Sequence, residues 1–160
     1  MRMAVSVRAG VVADLGRVFE IERGCAEAAH WAEADYLAAI SATAGSGLAR
    51  VLLVAESAGQ VHGFLVARSG HPAEWEIENI AVAGAVRRVG LGSALLLAFL
   101  EQVQRQRPTA EALEVHLEVR ESNLAARRLY EKSGFLLDKR RRAYYRDPEE
   151  DAILYRLSLQ

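Results

Sequence analysis

The sequence predicts an α/β protein built on one mixed sheet, and three stretches carry that prediction. Residues 113–119, LEVHLEV, alternate apolar and polar strictly, as a half-buried strand does. A G-L-G turn at 90–92 leads into a run with Leu91, Leu95, Ala98 and Phe99 on one helical face, which should stop near Arg107, before Pro108. Residues 50–69, RVLLVAESAGQVHGFLVARS, place two apolar runs about Ala58–Gly59, the pattern of a β-hairpin.

The remaining elements follow in chain order. Residues Ala4 to Arg8 alternate weakly and read as a first strand. Val12, Leu15, Val18, Phe19 and Glu22 recur at helical intervals and give a first helix. WAEADYLAAISATAG is a second helical stretch, ended by the glycines at 45 and 47. AEWEIENIAV is a strand between the hairpin and the Gly turn. SNLAARRLYEKSG is a short helix with Ser122 or Asn123 as its N-cap and Gly134 as its stop. FLLDKRRRAYYR and DAILYRLSL close the chain as two strands around a DPEED loop. The order is β-α-α-β-β-β-α-β-α-β-β, a mixed sheet with helices on its faces. Residues 1–160 show no internal repeat and no linker, so one domain is expected.

Composition narrows the function. A formal net charge of −1 gives no global reason to bind nucleic acid or an anionic membrane. A single cysteine, Cys25, excludes an intrachain disulfide and a cysteine-rich metal site. The opening MRMAVSVRAGVVADLG lacks the apolar core of a signal peptide, and no run is long enough to span a bilayer; a cytoplasmic location is expected.

The Gly turn is not one of the two commonest phosphate loops. A P-loop places a lysine directly after its last glycine, and here Ser93 follows Gly92 with no lysine before it. A dinucleotide fingerprint needs a small residue where this chain has Leu95, and its turn leaves the strand directly, whereas several residues separate Val82 from Gly90. What remains is R-x-x-G-x-G at Arg87, Gly90 and Gly92, entering a helix. Glycines let a backbone approach an anion, and free amides at a helix start attract it. On the turn alone, an anion cradle and a glycine-permitted surface turn with solvated arginines both stand.

The carboxylates weigh between them. Glu114, His116 and Glu118 share one face of LEVHLEV, and Glu76 and Glu78 share one face of EIENIAV. Central strands covered by helices should be apolar on both sides. Carboxylates there mean either that one face opens into a polar cleft or that these are edge strands with one wet face.

With those residues in view, the chain resembles the GCN5-related N-acetyltransferases (GNAT). RRVGLG (87–92) resembles their acetyl-CoA pyrophosphate loop, and EVRESNLAARRLYEKSGF (118–135) their downstream signature N-x-x-A-x-x-L-Y-x-x-x-G-F. The subgroup it is most similar to is that of the ribosomal-protein-alanine N-acetyltransferases (RimI type), through IERGCAEAAHW, NIAV and RRRAYYRDPEEDAILYRL. The resemblance implies the GNAT fold, a central mixed sheet of about seven strands flanked by about four helices, with acetyl-CoA as cosubstrate. It implies that the backbone of Ile80, Ala81 and Val82 pairs with pantetheine. Arg88, Val89, Gly90, Leu91, Gly92 and Ser93 would then hold the pyrophosphate, with Arg87 at the edge, and Asn123 would meet the coenzyme beyond the thioester. It also implies Glu118 as general base, Tyr130 as general acid and the backbone near Val82 as donor to the developing oxyanion. The chain departs from the family in having AGAV between strand and loop, and in carrying Glu76 and Glu78.

The chemistry fits an amine acceptor. A peptide α-amine, with a pKa near ~8, needs only modest general-base help at neutral pH, whereas a lysine amine near ~10.4 needs about two units more. That favours an α-amine without excluding lysine, and the resemblance to the RimI type implies acetylation of a protein N-terminus, with a ribosomal protein as partner. Acetylation of a lysine or small-molecule amine, and acyl-CoA sensing without turnover, are the alternatives. Glu76, Glu78, Tyr144 and Tyr145 are candidates for holding the acceptor, and the carboxylates predict a cationic amine or basic peptide. His30, His62 and His71 lack ligand-like spacing with each other, so no metal site is expected; Cys25 reads as a small packing residue, and His116 as either a structural or solvated histidine or an assistant in proton transfer. Direct binding of nucleic acid by KRRRAYYR is not expected.

Overall fold

The computed structural model describes residues 4–25, 28, 31–40, 49–84, 90–107 and 111–160. The elements are β1 (Ser6–Ala9), a 3-10 turn (Val12–Asp14), α1 (Leu15–Arg23), α2 (Glu33–Ile40), β2 (Ala49–Ser57), β3 (Gln60–His71) and β4 (Glu74–Val82). They continue with α3 (Leu91–Gln106), β5 (Leu113–Arg120), α4 (Leu124–Lys132), β6 (Leu136–Tyr145) and β7 (Glu150–Leu159). The predicted order is borne out. Gly45, Gly47 and Pro108, predicted to bound helices, lie outside the described residues, as does His30.

Among the described residues, seven strands form one sheet in the order β1-β2-β3-β4-β5-β7-β6. Every pair is antiparallel except β4 with β5, whose parallel pairing needs a crossover, supplied by α3. The hairpin turns at Ala58 and Gly59, at φ 52° and 76°, the left-handed pair that matches strand twist in a two-residue loop.

Each face of the sheet carries its own core. On one side Leu95, Phe99, Trp75 and Leu117 pack beneath α3 and α4, with Phe99 meeting Trp75 edge-on at 5.7 Å. On the other, Val18 and Tyr36 of α1 and α2 cover Phe64 and Val66. Strand β3 feeds both cores, so its middle is apolar on both faces. Strand β5 is not: Leu113, Val115, Leu117 and Val119 are buried, whereas Glu114, His116, Glu118 and Arg120 are only partly so. A central strand with one wet face decides for the open polar cleft over the edge-strand reading.

Two irregularities in β4 create that opening. The first is a bulge. Ala67 pairs with Ile77, but the preceding Val66 pairs with Asn79, so Glu78 is an extra residue in β4. Asn79 and Ala81 thereby turn to the α1 and α2 side, which the simple alternation of EIENIAV does not foresee. The second is a divergence. Pairing of β4 with β5 runs from Glu74–Glu114 to Ile77–Leu117 and stops, although the strands continue to Val82 and Arg120.

Candidate active site

Where β4 and β5 part, a cleft of about 710 Å³ runs between them. Ile80, Ala81 and Val82 form one wall, the start of α3 closes one end, Asn123 and Tyr130 of α4 lie along it, and Glu78 and Glu118 also line it. Among the described residues, no strand pairs with β4 on its β5 side beyond Ile77. The thiol of Cys25, predicted to be a packing residue, is buried and donates to the Val82 carbonyl at 3.3 Å.

The described part of the predicted anion cradle begins at Gly90, which caps α3 at φ 86°, a conformation that favours glycine. The amides of Leu91, Gly92 and Ser93 belong to the first turn of a 16-residue helix, where the helix itself supplies no carbonyl for them. All three residues line the cleft. A β-carbon on Gly92 would come within 3.2 Å of Leu129, so glycine lets α3 lie close against α4. Arg87, Arg88 and Val89 lie outside the described residues.

Asn123, of the two predicted candidates, is the N-cap of α4: its Oδ1 accepts from the Ala126 amide at 3.2 Å. Among the described residues its side-chain NH₂ makes no hydrogen bond, and Asn123 lines the cleft. Replacing Asn123 with alanine should therefore cost about 1 kcal/mol of stability, the usual worth of such a cap. Asn123→Asp, measured in the same thermal melts, should keep that stability and lose only the donor.

Tyr130 is 4% exposed and packs against Phe135 and Tyr155, with ring centroids 5.8 and 6.1 Å away. The residue lines the cleft. Burial, with a smaller effect of Tyr145, holds the phenol well above its ordinary pKa, so it keeps its proton at any working pH.

Glu118 also opens on a second hollow, of about 600 Å³, lined in part by Arg68, Glu76, His116, Lys139 and Arg141. The two hollows share Leu117 and Glu118. Arg141 reaches Glu118 at 3.1 Å, and Tyr144 stacks on Arg141 at 5.5 Å. Strand β6 makes this possible by bulging, its register jumping from Arg141–Ala152 to Tyr145–Glu150. The carboxylate of Glu118 pushes the Tyr144 phenol up, and burial does the same to Tyr145. Tyr144 and Tyr145 are thus brought to Glu118, with the Tyr145 ring 4.3 Å from the Arg120 guanidinium. His116 lies 3.8 Å from both Glu74 and Glu114 and extends the polar face away from the cleft.

Glu76 and Glu78 are brought to the same face, but neither stands alone. Arg68 meets Glu76 at 2.8 Å and Glu78 at 3.4 Å, and Arg50 meets Glu78 at 3.3 Å. With Glu118 on Arg141, all three predicted carboxylates have a cationic partner, so the expected pull on a basic peptide is largely neutralised. Burial raises the pKa of Glu78 against the opposing effect of Arg50 and Arg68. The arginines were not among the sequence candidates. Among the described residues, no group of three His, Cys, Asp or Glu side chains could hold a metal.

A family model, Acetyltransferase (GNAT) family, matches residues 15–135, which hold α1, Tyr130 and every described residue that lines the cleft except Tyr145. The chain belongs to that family. Within the family, it is 38% identical over 116 residues to an N-alpha-acetyltransferase of Sulfurisphaera tokodaii, covering 63% of this chain and 65% of that one. It is 41% identical over 83 residues to the [ribosomal protein bS18]-alanine N-acetyltransferase of Escherichia coli K12, covering 51% and 53% of the two chains. These alignments span about half to two thirds of the relatives' length. The GNAT fold is borne out over nearly the whole chain. The crystal structure of the ribosomal-protein-S18-alanine N-acetyltransferase from Escherichia coli superposes with a TM-score of 0.79 at 28% identity, covering 98% of this chain and 95% of that one.

Proposed function

We propose that residues 1–160 act as one domain that transfers the acetyl group of acetyl-CoA to the N-terminal α-amine of a protein. The observation that carries this reading is the parting of β4 and β5 past Ile77 and Leu117 into a cleft lined by the first turn of α3, Tyr130 and Glu118. The open side of β4 suits the amides of a pantetheine arm, and the free amides at the start of α3 suit a pyrophosphate. Acetyl-CoA brings an activated thioester; the chain brings position and proton control. In this reading Ile80, Ala81 and Val82 hold the arm, Arg88 to Ser93 the pyrophosphate with Arg87 at its edge, and Asn123 the stretch beyond the thioester. Glu118 takes the proton of the amine. Tyr144 and Tyr145 wall the acceptor side, with Glu76 and Glu78 opposite.

Tyr130 acts on the departing sulfur. A phenol ordinarily holds its proton more tightly than a thiol, at ~10 against ~8.5, and burial widens that gap. Its role is therefore a hydrogen bond to the sulfur as charge gathers there, rather than early transfer of the proton. Tyr130→Phe should lower kcat about tenfold to a hundredfold, the worth of one such bond, with KM for acetyl-CoA unchanged in steady-state assays.

The likeness to the Escherichia coli enzyme favours a ribosomal protein as acceptor, which would place the chain in the cytoplasm; no helix among the described residues is long and apolar enough to cross a membrane. The test is acetyl-CoA with N-terminal peptides, Nα-blocked lysine peptides and polyamines, read by mass spectrometry. Acetylated N-terminal peptide is the expected product, and product on the blocked lysine peptide alone would overturn the reading.

A further inference from the structure

Arg50 and Glu78 leave two atoms unused. Nε of Arg50 and Oε2 of Glu78 are both out of solvent and have no hydrogen-bond partner among the described residues. The residues touch through their other atoms, Nη2 to Oε1 at 3.3 Å. A side-on fork would satisfy all four atoms. It is not made because Oε1 is shared with Arg68 Nε, 3.4 Å away, while the Arg50 guanidinium rests 5.6 Å over the ring of Trp31. Each buried polar atom left unmade costs ~1–3 kcal/mol, so such atoms call for an explanation.

One unused acceptor and one unused donor on two side chains already in contact are the complement of the start of a polypeptide. There an amine nitrogen and the first carbonyl oxygen are separated by the α-carbon and the carbonyl carbon, on the order of 3 Å apart by standard backbone dimensions. Glu78 is the residue that the β4 bulge extrudes, and it lines the same cleft as Glu118.

We propose that Arg50 and Glu78 form a clamp for the acceptor's first residue, with Oε2 of Glu78 accepting from its amine and Nε of Arg50 donating to its carbonyl oxygen. The clamp rests on the proposed function and deepens it. A lysine ε-amine and a polyamine carry no carbonyl beside their nitrogen, so they fill one half of the clamp and leave the other buried and unmade. Selection for α-amines thus comes from a hydrogen-bonding pattern, in addition to amine basicity. Both atoms are covered in the structure and Arg50 does not itself line the cleft, so docking requires that the Arg50 side chain, 23% exposed, turn from its Trp31 seat toward it.

The test uses the full chain, acetyl-CoA, an alanine-initiated hexapeptide, and the same hexapeptide with its first carbonyl reduced to a methylene. Wild type should prefer the first by about tenfold or more in kcat/KM, as a site built for a hydrogen bond does. Arg50→Lys keeps a cation beside Glu78 but has no Nε–H at that place, and should bring the preference to within about twofold of unity. The difference in basicity between the peptides cancels, because both enzymes see the same pair. Glu78→Gln should raise KM for the alanine peptide about tenfold while KM for acetyl-CoA holds, and it supplies an independent readout if Arg50→Lys folds poorly. A preference unchanged in Arg50→Lys, or in Glu78→Gln an unchanged peptide KM, overturns the clamp alone. Wild-type product on an Nα-blocked lysine peptide and none on the alanine peptide overturns the clamp and the proposed function together.

Discussion

Glu118→Gln should lower the rate of acetyl transfer about 100- to 10,000-fold at neutral pH, the usual worth of a positioned general base. The glutamine keeps the size of the side chain and loses only the ability to take a proton. In the variant, only amine that has already surrendered its proton to water can react. Its residual rate should therefore climb about tenfold per pH unit below the α-amine's pKa near ~8, and its deficit against wild type should shrink toward pH 9. KM for acetyl-CoA should not move, because Glu118 lies where the cleft meets the second hollow, whereas the proposed coenzyme contacts lie along β4, α3 and α4. The substitution also dissolves the Arg141–Glu118 pair, but Arg141 is about half exposed and such a pair contributes little to stability. Steady-state rates from pH 6 to 9 check all of this. Wild-type rates across that range would remove Glu118 from its assigned role.

The pattern of LEVHLEV was enough to place Glu118, because a strand's period of two is rigid wherever one face is buried. The Gly turn was equally legible, since glycine at φ 86° and a helix start leave few alternatives. The arginines were not, and the reason is register. Counting back from the Ala58–Gly59 turn, Ser57 pairs with Gln60 and Glu56 with Val61, which would place Arg50 opposite Ala67. A bulge after that point shifts the ladder by one, and Arg50 pairs with Arg68 instead. Two guanidinium groups side by side need carboxylates, and Glu76 and Glu78 supply them. Nothing in RVLLVAES announces the bulge. The same holds for Glu78, whose extrusion from β4 depends on its pairing with β3 and not on its own neighbours in sequence. The alternation within a strand was readable; the register between strands was not.

Glu22 shows the same limit on a helix, and it carries the larger stability prediction. Its spacing with Leu15 and Val18 places it on the buried face of α1, and a carboxylate there needs partners that the helix cannot supply. They come from across the chain. The Trp31 amide donates to Glu22 at 2.7 Å and the Tyr36 hydroxyl at 2.8 Å, while Asn79 in turn donates to the Tyr36 oxygen at 3.3 Å. Burial, and then the carboxylate itself, hold the Tyr36 phenol well above its ordinary pKa, which fixes the proton on Tyr36 and makes it the donor. The relay joins α1 and α2 to the residue next to the extruded Glu78, so it anchors the bulge from behind. Glu22→Ala leaves the Trp31 amide and the Tyr36 hydroxyl without an acceptor in a site where Glu22 is 3% exposed. At ~1–3 kcal/mol for each buried polar group left unmade, the loss should be about 3 kcal/mol. For a chain of this size that is a fall in Tm of about 6–12 °C. Glu22→Gln retains an acceptor oxygen and should lose about a third as much, on the order of 1 kcal/mol. Thermal and urea melts of the two variants separate these outcomes, and a Glu22→Ala melt within about a degree of wild type would mean that the relay does not hold the helices to the sheet.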